Sequence, residues 1–291
     1  MEELRFQITD EMEDERIDKC MSLLVENLSR SFIQKLIKDG NVLVNGMPVK
    51  GSCRVKCDDE VVFSVPESVE PDIEPENIPL DILYEDEYLI AINKPSGLLS
   101  IGNDKERDVT AYRMVSDYVK KEDRKFIFVV HRIDQDTSGV LLFCKDQRIR
   151  DKMQENWNTI VKKRGYIALV EGIHTDSGTY HSFLKENRQQ FVYSTRNNTG
   201  KEAITHYKLI KKNKNYSLMQ VFIDTGRRNQ IRVHFSEHGY PLVGDKKYGA
   251  KSNPIKRLCL HANILEFVHP VSKKIIHIES EAPKEFLELV R

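Results

Sequence analysis

The feature that most constrains this chain is a run of fourteen residues, Pro66-Glu67-Ser68-Val69-Glu70-Pro71-Asp72-Ile73-Glu74-Pro75-Glu76-Asn77-Ile78-Pro79. Proline has no N–H to donate and a fixed φ, so four prolines at this density exclude a helix and a central strand. The interspersed carboxylates repel one another and extend the segment. A chain of 291 residues has room for roughly two domains, and this run divides it into an N-terminal module (residues 1–65), a linker (66–79) and a large remainder (80–291).

The N-terminal module reads as two short helices and a small sheet. Ile17, Cys20, Met21 and Leu24 recur at helical spacing, as do Phe32, Ile33, Leu36 and Ile37. Ser29 or Ser31 can cap the second helix and Gly40 ends it. Asn45-Gly46, set between Val42-Leu43-Val44 and Met47-Pro48-Val49, predicts a hairpin. Pro48 cannot donate to a ladder, so its strand belongs at an edge. Val61-Val62-Phe63 is a further strand.

In the remainder, strands are expected at Tyr88–Ile92, Phe126–Val130, Val140–Phe143, Tyr166–Val170, Ala203–Leu209, Leu218–Ile223, Ile264–Val268 and Lys274–Ile278. Helices are expected at Thr110–Lys120, Gln147–Trp157 and Asn229–His238. The pattern is α+β and predominantly antiparallel.

The formal net charge is zero, but the charge is segregated. Residues 66–88 hold nine acids and no Lys or Arg; residues 201–257 hold thirteen Lys and Arg against four acids; residues 28–56 hold six against one. Such a chain can present basic faces to phosphates despite its neutrality. No apolar run approaches the ~18 residues of a membrane span, and the acidic N-terminus is unlike a targeting peptide. Five cysteines without paired spacing fit a reduced, cytoplasmic protein.

The run His131-Arg132-Ile133-Asp134-Gln135-Asp136-Thr137-Ser138-Gly139 places a carboxylate near a cation in a polar loop between two apolar strands. If the backbone is extended there, Arg132 and Asp134 leave the same face and His131 does not. Thr137 and Ser138 are expected to fix the turn by local hydrogen bonds. The loop resembles the His-Arg-Leu-Asp signature of the RluA/RluD family of RNA pseudouridine synthases, with Ile133 in place of Leu. Three more runs resemble that family's motifs, in its order: Lys163-Arg164-Gly165-Tyr166-Ile167-Ala168-Leu169-Val170; Thr225-Gly226-Arg227-Arg228-Asn229-Gln230-Ile231-Arg232-Val233-His234; and Arg257-Leu258-Cys259-Leu260-His261-Ala262 with His269-Pro270. Residues 16–46 resemble the small αL RNA-binding domain of a ribosomal protein and of many RNA-modifying enzymes.

The resemblance implies the pseudouridine synthase fold, a bent mixed and mainly antiparallel sheet with a central cleft, preceded by a small α/β RNA-binding domain. It implies isomerisation of uridine without any cofactor or metal, by a monomer acting on RNA. Ribosomal RNA of the large subunit is favoured over tRNA. Asp134 would act at the sugar, as nucleophile at C1′ or by removing a C2′ proton. Arg232 would pair with Asp134, Tyr166 would lie against the base, and Leu260 would wall the pocket. Arg132 would fill the gap left by the flipped nucleotide. Arg30, Lys35, Lys38, Arg227 and Arg228 would contact RNA.

Two departures stand out. Arg228-Asn229 occupies the place of the family's usual Thr-His. Lys94-Pro95-Ser96-Gly97 is kept, but the Val-His-Pro that usually follows is missing. A competing pattern, His234-Phe235-Ser236-Glu237-His238, fits an inverted zinc-protease motif with Glu266 or Glu279 as a third ligand. A non-catalytic RNA-binding or ribosome-assembly protein is the third alternative.

Overall fold

The computed structural model describes residues 2–24, 30–65, 80–102, 109–123, 126–174, 176–195 and 199–291. The expected linker and the Ser29 cap lie outside the described residues. The chain forms two compact units, Met1–Glu74 and Pro75–Arg291.

The first unit runs β1 (Glu2–Gln7), α1 (Ile17–Leu24), α2 (Arg30–Lys38), β2 (Val42–Val44), β3 (Met47–Pro48) and β4 (Glu60–Val65). Its sheet has the order β1-β4-β2-β3, so the Pro48 strand is at the edge. The turn works because Asn45 and Gly46 both take positive φ (51° and 78°), the conformation a two-residue hairpin needs. Ile17, Cys20 and Met21 of α1 and Ile33, Leu36 and Ile37 of α2 are buried against Val42, Val61 and Phe63. Strand β1 was not expected; its acidic start hides the alternation of Leu4 and Phe6, which pair with Phe63 and Val61.

The second unit continues with β5 (Ile82–Glu85), β6 (Leu89–Lys94), α3 (Ala111–Asp123), β7 (Phe128–Val129), β8 (Ser138–Cys144), α4 (Gln147–Glu155), α5 (Trp157–Ile160) and β9 (Val161–Glu171). It then runs through β10 (Ser177–Glu186), β11 (Val192–Ser194), β12 (Lys201–Lys212), β13 (Tyr216–Ile223), α6 (Gln230–Glu237), β14 (Leu260–Val268), β15 (Ile275–Glu279) and α7 (Lys284–Glu288). These strands form one eleven-stranded mixed sheet of order β11-β10-β12-β13-β9-β14-β8-β6-β5, with β15 on β14 and β7 on β8. Only the β14–β8 pairing is parallel among the described residues. The class is therefore α+β with a large, mainly antiparallel sheet.

The expected helix over Gln147–Trp157 is two helices. Asn156 leaves the helical region (φ −108°, ψ 21°) and separates them. Strand β10 was not expected because only Tyr180 and Leu184 of its ten residues are buried, which leaves no alternation to read. Ser138 does not bond locally as expected: its hydroxyl lies 2.8 Å from His261 Nδ1 and accepts from Arg257 Nη2 at 2.7 Å.

The parallel junction of β8 and β14 is the tightest point of the sheet near the polar loop. Gly139 sits there at φ +108°, and a Cβ would lie 2.1 Å from the Ala262 carbonyl oxygen. The strained conformation alone costs about 1–3 kcal/mol for any other residue, and the overlap adds to it. Gly139→Ala is expected to lower stability by about 3 kcal/mol or more, read as a fall in the denaturant midpoint at unchanged slope. A variant with the wild-type midpoint would show that the junction yields freely.

Candidate active site

Four separate segments meet around a cavity of about 300 Å³: the loop 131–137, strand β9, the N-terminus of α6 and the start of β14. Arg132, Asp134, Tyr166, Arg227, Arg232 and Leu260 all line it. Arg228 lines a neighbouring groove instead. Lys38, in the other unit, is exposed; the side chains of Arg30 and Lys35 lie outside what is described.

The loop 131–137 is held from below. Lys94, with no exposed surface, donates to the carbonyl oxygens of Pro95 (2.9 Å), Leu98 (2.7 Å) and Gln135 (2.9 Å). Burial pulls its pKa down to about 7, against the opposing pull of Asp136 and Asp134. Ser100 Oγ donates to the Ile133 carbonyl at 2.7 Å. The kept Lys-Pro-x-Gly run is thus the support of the loop. His131 also borders the cavity, but its ring is committed to packing. Its Nε2 accepts from the Leu142 N–H at 3.1 Å, its ring packs on Trp157, and burial lowers its pKa to about 4, so it is a neutral structural group.

Asp134 is partly exposed, and its carboxylate lies 3.7 Å from Arg232 Nη1. The nearer partner of Arg232 is Asp245. Nε and Nη2 donate to its two oxygens at 2.7 and 2.8 Å, and Nη1 donates to Asn229 Oδ1 at 3.0 Å. The guanidinium also lies over the Tyr248 ring, 5.0 Å from its centre. Burial opposes the charge of Arg232, but the Asp245 carboxylate and then Asp134 outweigh it and raise its pKa. Asp245 had no signal in the pattern, since nothing marks a residue thirteen positions away as the partner of a buried cation.

Tyr166 is half-buried on β9, and desolvation pushes its phenol up to about 12, with Asp134 adding and Arg164 opposing. Arg164, also in the lining, donates to the Asp224 carbonyl oxygen. No role was expected for it, although its position two residues before Tyr166 on a strand places both on one face. Gly165 between them lets β9 approach β14: a Cβ there would meet Ile264 and Asn263 at 3.0–3.1 Å. Leu260 and Ile223 form apolar walls.

This geometry leaves nothing for the zinc reading. His234 is fully buried, with its two ring nitrogens 2.9 Å from Ser182 Oγ and 2.8 Å from Thr205 Oγ1. His238 stacks on Tyr180 at 3.8 Å. Glu266 and Glu279 flank His277 on β14 and β15. Among the described residues no cluster of three or more ligating side chains could hold a metal ion, and no helix is long and apolar enough to cross a membrane.

A family model described as RNA pseudouridylate synthase matches residues 88–237, which takes in the loop, β9 and α6. The chain belongs to the RNA pseudouridylate synthase family. An S4 domain model matches residues 15–61. Among relatives of this synthase, the ribosomal large subunit pseudouridine synthase D of Xylella fastidiosa is 33% identical, over 94% of this chain and 88% of that protein. An uncharacterized RNA pseudouridine synthase, YlyB, of Bacillus subtilis is 31% identical, over 100% of this chain and 98% of that one. The solved structure of human RNA Pseudouridylate Synthase Domain Containing 4 shares the fold, with a TM-score of 0.59 at 21% identity, covering 71% of this chain and 90% of that chain. The synthase is thus an isomerase of uridine in RNA, and the non-catalytic alternative falls.

Asp245 is the test of how its site is held. Removing one partner of a buried ion pair costs about 3–5 kcal/mol. Asp245→Asn is expected to lose about 3 kcal/mol and to reduce kcat at least tenfold with little change in RNA affinity. Wild-type melting and turnover would show that Arg232 is held without it.

Proposed function

We propose that Asp134 is the catalytic carboxylate and that large-subunit ribosomal RNA is the substrate. The observation that carries the first part is convergence: Asp134, Tyr166, Arg232 and Leu260, drawn from four segments, line one cavity. The reaction breaks N1–C1′, turns the base and forms C5–C1′; the proton lost from C5 is matched by one gained at N1. Nothing is oxidised and no outside group is consumed. Asp134 either attacks C1′ or removes the C2′ proton, and Arg232 stabilises its anionic form in a pocket closed by Leu260 and Ile223. With a phenol pushed up to about 12, Tyr166 is neutral at physiological pH. That suits a stacking platform for uracil better than a resident base. Arg132, exposed and in the cavity lining, would enter the stack as the nucleotide leaves.

The target assignment rests on the S4 match at residues 15–61 and on relatives named ribosomal large subunit pseudouridine synthase D from Xylella fastidiosa and Zymomonas mobilis, 33% and 32% identical. On this reading residues 1–65 bind RNA, with Arg30, Lys35 and Lys38 toward phosphates, residues 66–79 tether them, residues 80–291 catalyse, and the enzyme works in the cytoplasm beside the ribosome.

A tritium-release assay with uridine labelled at C5, on total RNA from cells lacking the enzyme, tests the chemistry. Wild type is expected to release tritium and Asp134→Asn to fall by on the order of 10³-fold or more, with RNA binding kept. Normal turnover by the variant would refute the role of Asp134. Mapping of the modified positions tests the target: the mark is expected in large-subunit ribosomal RNA, and a mark confined to tRNA would refute it.

A further inference from the structure

A second cavity of about 410 Å³ adjoins the active pocket. It is lined by Leu184, Lys185, Glu186, Val192, Thr199, Gly200, Lys201, Gly226, Arg227 and Arg228. Gly226 and Arg227 line both cavities, so the two meet at the turn that precedes α6. The groove has an apolar floor and a cationic rim. Leu184 and Val192 are buried, in one cluster with Ala203, Val233 and Tyr248. On the same face of the sheet Lys201 lies opposite Leu184, and Lys201, Arg227 and Arg228 are all exposed along the rim.

The rim charge is available. Arg227 Nε is spent on the Glu202 carbonyl at 2.9 Å, which fixes the side chain without neutralising it. The single carboxylate in the lining, Glu186, is held by Arg228, whose Nη2 also donates to Gln190 Oε1 at 3.2 Å. Among the described residues Lys201 has no ion-pair partner.

We infer that this groove is the path of the single RNA strand flanking the extruded uridine, with Lys201 and Arg228 on its phosphates. The inference rests on the synthase reading of the first pocket. A strand whose uridine occupies that pocket must leave it along an exit, and this one combines adjacency, cations and an apolar floor. Arg228, which replaces the family's usual Thr, adds its charge to the same rim. Glu186 acts as a counter-charge that holds Arg228 until a phosphate competes for it.

The test uses the full chain and two readouts: binding of a fluorescein-labelled oligouridylate across a salt series, and tritium release from total RNA. Lys201→Gln with Arg228→Gln is expected to weaken binding and raise KM about tenfold with kcat unchanged. The salt slope should fall in magnitude by about 1.4, since each phosphate contact on a single strand contributes about 0.7. Glu186→Gln is expected to shift binding the other way. Lys211→Gln with Lys212→Gln removes equal charge from the far end of β12 and should match wild type. If the two double variants behave alike, the groove is not the strand path. Tritium release by wild type with no difference between the double variants overturns this inference alone, whereas no release by wild type overturns the synthase chemistry beneath it.

Discussion

The ion pair of Arg232 with Asp245 is the interaction on which the site depends. Both side chains are almost fully buried, and taking two charges out of water is repaid only when the geometry is good and the remaining donors are satisfied. Here two parallel hydrogen bonds, the Asn229 amide and the Tyr248 ring meet that condition. The consequence is preorganisation. Arg232 does not need Asp134 to hold its place, so Asp134, 3.7 Å away, meets a fixed positive charge without being locked by it. For the attack or abstraction proposed for Asp134, such a neighbour serves better than a tight salt bridge.

The loop that carries Asp134 is held by the same logic of internal satisfaction. Lys94 donates to three carbonyl oxygens, one of which, that of Gln135, also accepts from the Gly97 N–H, and it bridges the end of β6 to Gln135, next to Asp134. Gly139 then lets β8 come against β14 closely enough for Leu260 to reach the pocket from the neighbouring strand. The loop's precision is thus set by a buried ammonium and a missing Cβ, two features that never touch the substrate.

How legible this was follows from the range of each signal. The helices of the first unit, the Asn45-Gly46 hairpin and the edge position of Pro48 are local consequences of periodicity and turn chemistry, and they could be read directly. The central strands β8, β9 and β13 are apolar runs and were equally plain. Strand β10 was invisible because it buries two residues of ten, and β1 because its charge masks its alternation. In the site, the loop 131–139 and the segment 225–234 carried short-range signatures. Asp245, Tyr248 and the support by Lys94 depend on contacts across 13, 16 and 41 positions, which no local pattern records. Arg164 lay between these cases: it sits in the same short run as Tyr166 and in phase with it on β9, but its contact with Asp224 spans 60 positions.

The departure at Arg228-Asn229 shows how a local change can be absorbed. Asn229 caps α6 in the left-handed region, at φ 54° and ψ 18°, where asparagine is several-fold enriched over most residues. Its side chain divides its two functions: Oδ1 accepts from Arg232, and Nδ2 donates to Tyr248 Oη at 3.1 Å. Gln230 beside it donates to the Ile204 carbonyl and Thr205 Oγ1 and accepts from Thr225 Oγ1 and the Arg227 N–H, which pins the start of the helix to β12. With the helix fixed this way, the preceding residue is free to vary toward solvent, and Arg228 places its charge at the rim of the second cavity without disturbing the Arg232 network. Asn229 faces inward and serves hydrogen bonding and backbone conformation; Arg228 faces outward and carries charge. That division allows one turn to hold the catalytic geometry while altering how the surface beside it meets a polyanion.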